Sequence, residues 1–525
     1  MTDHVRGFGV SGDIITLSFS VVADADVGDL VFEPGALRGD GKVIAAKAIE
    51  VYIAKIWEQA GLGRKQSSKI LVRELLVKDD RQLLKDRYRR GFKHWRQFAK
   101  PTMYYCPPNV RLSGSARTRL GDHVPKQIWI SIRVPADTAP GIYKGRLTVK
   151  TRKPSLQTSI AIEIDILEIR LSEPKQDLMI FYRGTLDVTR PQFYVSPALL
   201  KRQLQDIFDH GFRSITIDEH DPLLSKSVIE LCEEIGFDRH LVLLSPHFLD
   251  SLKCDKLTPV LQVSDELDLQ SQYDSKAAFW HQRNHQLAKA HNIKTMATLF
   301  SASFAAQFLN GTIIGCAPDM VLYNISTNRK FFEIQSQSEI RSHSQYYYWN
   351  SHMEKPDLHR ALAGVYLWKS GADGIAPYCY QHLPQFPFSP YDDFDEWEPG
   401  CNKSEPYVAL RDHCTVYPAK DGFIPTVQWE GMREGIIDLK YLTTLHELLD
   451  KARGIAHIQL IVEQIERSVV AFLDRIDLSQ IIVNSETEAN PFPAINSEDF
   501  HTFREQMARD IIRLTKVIGN SHAEN

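Results

Sequence analysis

Three adjacent carboxylate pairs stand out in this 525-residue chain: Asp218-Glu219, Asp265-Glu266 and Asp395-Glu396. A neighbouring aspartate and glutamate can divide acid–base work between them. Breaking a glycosidic bond needs a proton donor for the leaving oxygen. It also needs a second group to stabilise the cation-like carbon, and two carboxyl groups supply both. An arbitrary Asp-Glu is more often a solvated loop end or a helix cap, so position decides between the two readings. Asp265-Glu266 lies in LQVSDELD, residues 261–268, directly after an apolar run. Asp218-Glu219 closes another such run, and Asp395-Glu396 sits in the loop YDDFDEWEP, residues 391–399.

The elements that must position these groups change character along the chain. Up to about residue 170 the pattern is that of strands, at 13–22, 127–134, 143–149 and 158–166, with turn chemistry in PADTAPG between two of them. Such spacing without long helices predicts an antiparallel β-sandwich over residues 1–172. From about residue 175 short apolar runs alternate with helical patterns. Strands are expected at 178–182, 214–217, 240–244, 259–263, 294–300, 320–323, 374–378 and 415–429, and helices at 197–210, 225–235, 276–290 and 431–449. About eight strand–helix units in about 270 residues fit a (β/α)8 barrel over 173–452 better than an open Rossmann sheet. Residues 453–525 read as a helical extension. In a barrel the chemistry gathers at the C-terminal ends of the strands, which favours Asp265-Glu266 at the end of the fourth.

Composition excludes several classes. Lys+Arg number 62 and Asp+Glu 66, a net charge of −4, with 43% hydrophobic residues. A duplex-binding protein carries a basic excess, and disorder needs low hydrophobicity with high charge. No apolar run is long enough for a transmembrane helix. The 7 cysteines are scattered without a CxxC pair, which argues against a disulfide framework or a zinc ribbon. Without an evident signal peptide, reduced thiols point to the cytoplasm. No nucleic acid, membrane, metal or cofactor is expected as a partner.

Other motifs are weaker. Gly7 to Gly12 fits G-x-G-x-x-G but precedes a strand, so dinucleotide binding is rejected. His281 and His285 share a helix face without a third ligand, and a solvated face is the better reading. Residues 85–96 interleave basic and aromatic side chains, as a surface loop does. Sugar sites also need flat apolar surfaces. The stretch after 374–378 supplies Tyr378, Tyr380, His382, Phe386, Phe388, Tyr391, Phe394 and Trp397 among Pro377, Pro384, Pro387, Pro390 and Pro399. It is expected to form a lid or platform. Tyr182 and Arg183 end the first predicted strand, Tyr323 and Asn324 the sixth, and Trp429 the last. All five are candidate sugar contacts by location. Glu430 and Arg433 read as a structural pair near the barrel rim.

Two stretches carry a family resemblance. Residues 127–149, QIWISIRVPADTAPGIYKGRLTV, resemble a "VP…PG-Y-G" strand pair. Residues 416–442, VYPAKDGFIPTVQWEGMREGIIDLKYL, resemble a "W-E-x-x-R-x-G-x-x-D-x-x-Y-L" junction through Trp429, Glu430, Arg433, Gly435, Asp438, Tyr441 and Leu442. Residues 360–374 are similar to a third pattern, "R-x-x-G-x-x-x-W-x-x-G-x-D-G". Together they resemble the domain of unknown function 4091 family, related to glycoside hydrolase family 123, over residues 13–450 or so. The resemblance implies a β-sandwich joined to a barrel, with an Asp-Glu pair ending the fourth strand in a "D-E-P" context. Asp265-Glu266 matches that pair, with Leu267 in place of the proline. It also implies substrate-assisted retaining hydrolysis of a β-linked N-acetylhexosaminide, with N-acetylgalactosaminides favoured. Asp265 would polarise the acetamido N–H, and Glu266 would act as acid and then base from a raised pKa. A glycosidase for another sugar and a non-catalytic carbohydrate-binding protein are the alternatives.

Overall fold

The computed structural model describes residues 4–60, 69–82, 84–85, 87–91, 102–151, 157–191, 193–273, 276–324, 342–349, 355–382, 391, 414–478 and 495–523. Two sheets occupy the first third. One has seven strands, with the path His4–Gly9, Gln157–Ile166, Gly141–Thr151, Gly28–Pro34, Ala116–Leu120 and two short strands at its side. The other has four, in the order Ile14–Val21, Lys126–Arg133, Ile49–Ala60, Lys69–Val77. Alternation along Lys126–Arg133 explains the layering. Ile128, Ile130 and Ile132 enter a core shared with Phe32, Leu147 and Ile164 of the larger sheet. Trp129 points the other way, onto Val427. Pairing is not purely antiparallel as expected, because His4–Gly9 runs parallel to Gln157–Ile166.

Eight parallel strands then close a barrel: Asp177–Ile180, Ser214–Ile217, His240–Leu243, Thr258–Ser264, Lys294–Leu299, Met320–Asn324, Ser344–Tyr348 and Gly374–Ile375. Helix starts follow local chemistry. Ser196 caps Pro197–Asp209, and Asp221 caps Pro222–Ile235, each with proline at the first turn, where a missing N–H costs nothing. Gly236, at φ 121°, ends the second of these.

Two strand expectations need correction. The seventh strand is Ser344–Tyr348, which the sequence pattern passed over, so 374–378 supplies the eighth. Residues 415–429 are no barrel strand. They form the hairpin Val416–Ala419 with Gly422–Pro425, and then Thr426 caps the helix Val427–Ala452 by accepting from the Trp429 N–H at 3.2 Å. The helices Gln459–Leu473 and Ser497–Ala523 follow. Among the described residues no helix is long and apolar enough to cross a membrane.

The barrel interior is layered by strand parity. Met179, Phe181, Val242, Val260, Met296, Leu322, Tyr346 and Tyr348 form one inner cluster. Their chain neighbours Ile180, Tyr182, Leu241, Leu261, Ala297, Tyr323 and Tyr347 belong to the outer core beneath the helices. At the N-terminal end Asp177 ties its own strand to three others. It accepts from Ser214 Oγ (2.5 Å) and Tyr346 OH (3.2 Å) and meets His240 Nδ1 (2.7 Å). That end of a barrel serves stability.

Candidate active site

The fourth strand breaks its regular pairing with the fifth between Gln262 and Ser264. Gln262 lies opposite Met296, but Ser264 lies opposite Ala297. The extra residue reverses the inward–outward alternation beyond it, as a β-bulge does. Asp265 is thereby brought level with Thr298. The Thr298 hydroxyl donates to Asp265 Oδ1 at 2.5 Å and accepts from the Glu266 N–H at 2.5 Å. Gln262 Nε2 donates to the same aspartate oxygen at 3.2 Å. Glu266 sits at φ +46°, the left-handed region that a glutamate seldom adopts. Backbone strain of this kind costs of order 1–3 kcal/mol and concentrates at functional sites. The Glu266 carbonyl accepts from Leu269 and Gln270 N–H, both at 2.9 Å, which starts the helix Leu267–Tyr273.

Asp265 is exposed at the barrel mouth, with protein crowding the base of its carboxyl. This crowding pushes its carboxyl above the usual aspartate range, against the opposing pull of Thr298, Arg183 and Gln262. Tyr348, at the end of the seventh strand, is buried beside both carboxylates. Burial, then the charges of Glu266 and Asp265, hold its hydroxyl well above the ordinary tyrosine range, against a smaller opposing pull from Asn324.

A cationic wall faces this pair from the first two strands. Arg183 and Arg190 converge on Asp218 Oδ2 at 3.2 and 2.6 Å, and His220 Nε2 lies 3.5 Å from Oδ1. The Phe193 ring packs under both guanidinium groups, 4.9 and 5.4 Å from its centroid. Burial and the Arg190 charge lower the His220 pKa, so the ring is neutral near pH 7. Tyr378 completes the rim, with its hydroxyl 2.9 Å from His382 Nδ1. Glu219 points away and anchors the loop after the first strand, accepting from Thr185 Oγ1 and the Leu186 N–H, both at 2.7 Å.

No protein-family model and no curated relative matches the chain. Solved structures do. A family 123 glycoside hydrolase from Clostridium perfringens, described for glycolipid glycan hydrolysis, superposes with a TM-score of 0.59 at 12% identity, covering 99% of this chain and 94% of that one. This chain shares that fold. A β-glucuronidase from Parabacteroides merdae matches with a TM-score of 0.31 at 13% identity, over 73% of this chain and 53% of that one. Only the first superposes well enough to compare folds.

Strand parity sorts the residues expected at the site. Asp265, Glu266, Arg183, Asn324 and Tyr378 gather at the mouth. Tyr182 does not: it is buried on the outer side and donates to Gln203 Oε1 at 2.6 Å. Tyr323 is likewise buried in the outer core. Tyr380 and Trp429 are buried together, and both donate to Asp206 Oδ2, at 3.1 and 2.9 Å. Trp429 also stacks on His210, with ring centroids 4.1 Å apart. These four are packing residues and cannot reach a sugar at the mouth. Tyr391 is no platform either, being buried against Tyr417 and Trp57. Trp397 lies outside the described residues, as do Phe386, Phe388, Phe394 and Asp395-Glu396. Glu430 and Arg433 do pair, at 2.9 Å. His281 is not solvated but wholly buried. Sequence reasoning missed Thr298, Tyr348, Arg190 and Phe193. Counting by twos from Met296 and Tyr346 would have found the first two.

Proposed function

We propose that the protein is a glycoside hydrolase whose reacting groups are Asp265 and Glu266. The observation that carries this reading is the pair's place at the bulged C-terminal end of the fourth strand. There Asp265 faces the mouth and Glu266 is held in a costly backbone conformation, on a fold shared with a family 123 hydrolase. The chain's motifs at 127–149 and 416–442 add weight to membership of the related domain of unknown function 4091 family. We read residues 1–172 as an accessory β-sandwich, 173–452 as the catalytic barrel and 453–525 as a bracing helical extension.

The reaction best suited to the pair is retaining and substrate-assisted, on a terminal β-N-acetylhexosaminide of an oligosaccharide, with N-acetylgalactosaminides favoured. The sugar's acetamido oxygen attacks the anomeric carbon, and the bond to the leaving oxygen breaks as Glu266 protonates it. Asp265 accepts the acetamido N–H and so stabilises the positive charge that develops on the ring formed. Water then attacks the same carbon and gives its proton to Glu266, and the acetamido group is restored. Arg183, Asn324, Tyr348 and Tyr378 lie where they can contact the sugar.

The test is turnover of a panel of chromogenic β-glycosides with Glu266→Gln as control. Hydrolysis of an acetamido sugar, abolished by the substitution, is expected. Hydrolysis only of sugars lacking that group would overturn the substrate-assisted mechanism. Turnover that survives Glu266→Gln would overturn the assignment of the pair.

A further inference from the structure

We propose that His281 and Asn284 are positioning residues that hold the fourth-strand bulge and thereby aim Asp265-Glu266; this rests on reading that pair as the reacting groups. The bulge takes Val263 off the regular ladder, and backbone groups freed in this way must find other partners. The helix Ala277–Ala290, packed behind the strand, supplies one and also grips the Ser264 side chain. Asn284 Nδ2 donates to the Val263 carbonyl at 3.3 Å, and His281 Nδ1 meets Ser264 Oγ at 3.0 Å. The two side chains are three residues apart, on one face of the helix.

The His281 tautomer follows from its other nitrogen. Nε2 lies 2.7 Å from the Cys316 carbonyl, which can only accept. Nε2 therefore carries the proton, and Nδ1 accepts from the Ser264 hydroxyl. Burial lowers the ring's pKa and keeps it neutral. The same helix is tied down further by Gln282 Nε2 to the Ile314 carbonyl at 2.8 Å and by His285 Nε2, 3.3 Å from the Ala317 carbonyl. The bulge is thus gripped on both sides, by Thr298 from within the barrel and by His281 and Asn284 from behind. The residue after Ser264 is Asp265, so movement of Ser264 passes directly to the carboxylates.

Two substitutions separate the contacts. In His281→Asn the amide oxygen replaces Nδ1 and keeps Ser264. In His281→Gln the amide nitrogen replaces Nε2 and keeps only Cys316. His281→Gln is expected to lower kcat roughly 10- to 100-fold, with KM changed by less than about twofold. His281→Asn should retain most of kcat, Ser264→Ala should match the loss in His281→Gln, and the double variant should lose no more. Each histidine variant deletes one buried hydrogen bond, so their melting temperatures should fall alike, which separates aim from stability. Equal kcat losses in the Asn and Gln variants, or none in Gln, would overturn the proposal. Failure of the wild type on every sugar would count against the glycosidase reading instead. The positioning role is then read from the carbon-13 titration of the Asp265 carboxyl. His281→Gln and Ser264→Ala should move its raised pKa toward the ordinary value while His281→Asn does not. An identical titration in all three would overturn it.

Discussion

Thr298 serves both candidate carboxylates with one hydroxyl, donating to Asp265 and accepting from the backbone of Glu266. Thr298→Val keeps the shape and removes both bonds. Leaving the part-buried Glu266 N–H unsatisfied costs about 1–3 kcal/mol, and urea unfolding should register that loss. Activity should fall further than stability predicts, because the aspartate also loses its orientation. The Asp265 carboxyl carries a pH signature as well. In the proposed reaction it is ionised when it accepts the acetamido N–H, and crowding raises its pKa. The acid limb of kcat/KM should therefore lie above the pH of about 4 at which a free aspartate titrates. Arg183 pulls that pKa down, so Arg183→Met should shift the limb to still higher pH. An unmoved limb would show that the limb belongs to another group.

The helix Val427–Ala452 shows why part of the fold was legible in the sequence and part was not. Its motif residues are specific because they pack. A Cβ on Gly435 would meet the Arg360 carbonyl oxygen at 2.2 Å, and one on Gly431 would meet that of Pro356 at 2.3 Å, so this helix crosses the helix Pro356–Ala363 in near backbone contact. Gly435→Ala should destabilise by at least about 1–3 kcal/mol through overpacking, measured by urea unfolding. Asp438, 1% exposed, is held by Arg360 and Arg504, each at 2.6 Å. Trp429 belongs to the same packing logic, which is why its apparent place after an apolar run misled. The run at 415–429 has β character, but the turn at Lys420-Asp421 folds it on itself and Thr426 starts a helix. The true seventh strand, Ser344–Tyr348, is aromatic on both faces, since Tyr346 and Tyr348 point in while Tyr347 points out. A strand buried on both sides shows no alternation. Asp265-Glu266 stood out because acid residues after an apolar run are conspicuous. The inward threonine and tyrosine beside it look like any strand residues.

Across the whole molecule, charge ties the sheets to the barrel. Arg433 donates to the Ile14 carbonyl at 2.6 Å and to Thr16 Oγ1, and pairs with Glu430 and Glu434, both at 2.9 Å. Burial alone would raise Glu430, but Arg433 and then His210 hold it at about 2. Glu434 is held at about 2 by Arg504, Arg433 and Arg360 against the same burial. Both pKa values are depressed on folding. Their stabilisation is complete above about pH 4.5 and is lost as pH falls toward 2. Melting temperatures should drop steeply over that window, in one transition for sheet and barrel together. Asp13 has the opposite sign. It lines a cavity of about 580 Å³ between the first strand of each sheet and the helices, and burial raises its pKa to about 6 despite Arg504, Arg433 and Lys440. Its penalty is full above pH 6 and vanishes below about 3.8. Asp13→Asn should therefore raise the melting temperature more at pH 7.5 than at pH 4.

The bulge before Asp265 makes the site depend on register as well as on composition. The barrel needs its strands paired, and a fourth strand that set Val263 instead of Ser264 opposite Ala297 would pair without interruption. Every hydrophobic contact upstream would survive, but the alternation would carry through unreversed and turn Asp265 toward the helices. Such a one-residue slip would leave a barrel that folds and no longer aims its carboxylates. Proteins settled in that register would keep the architecture and be free to take up other work.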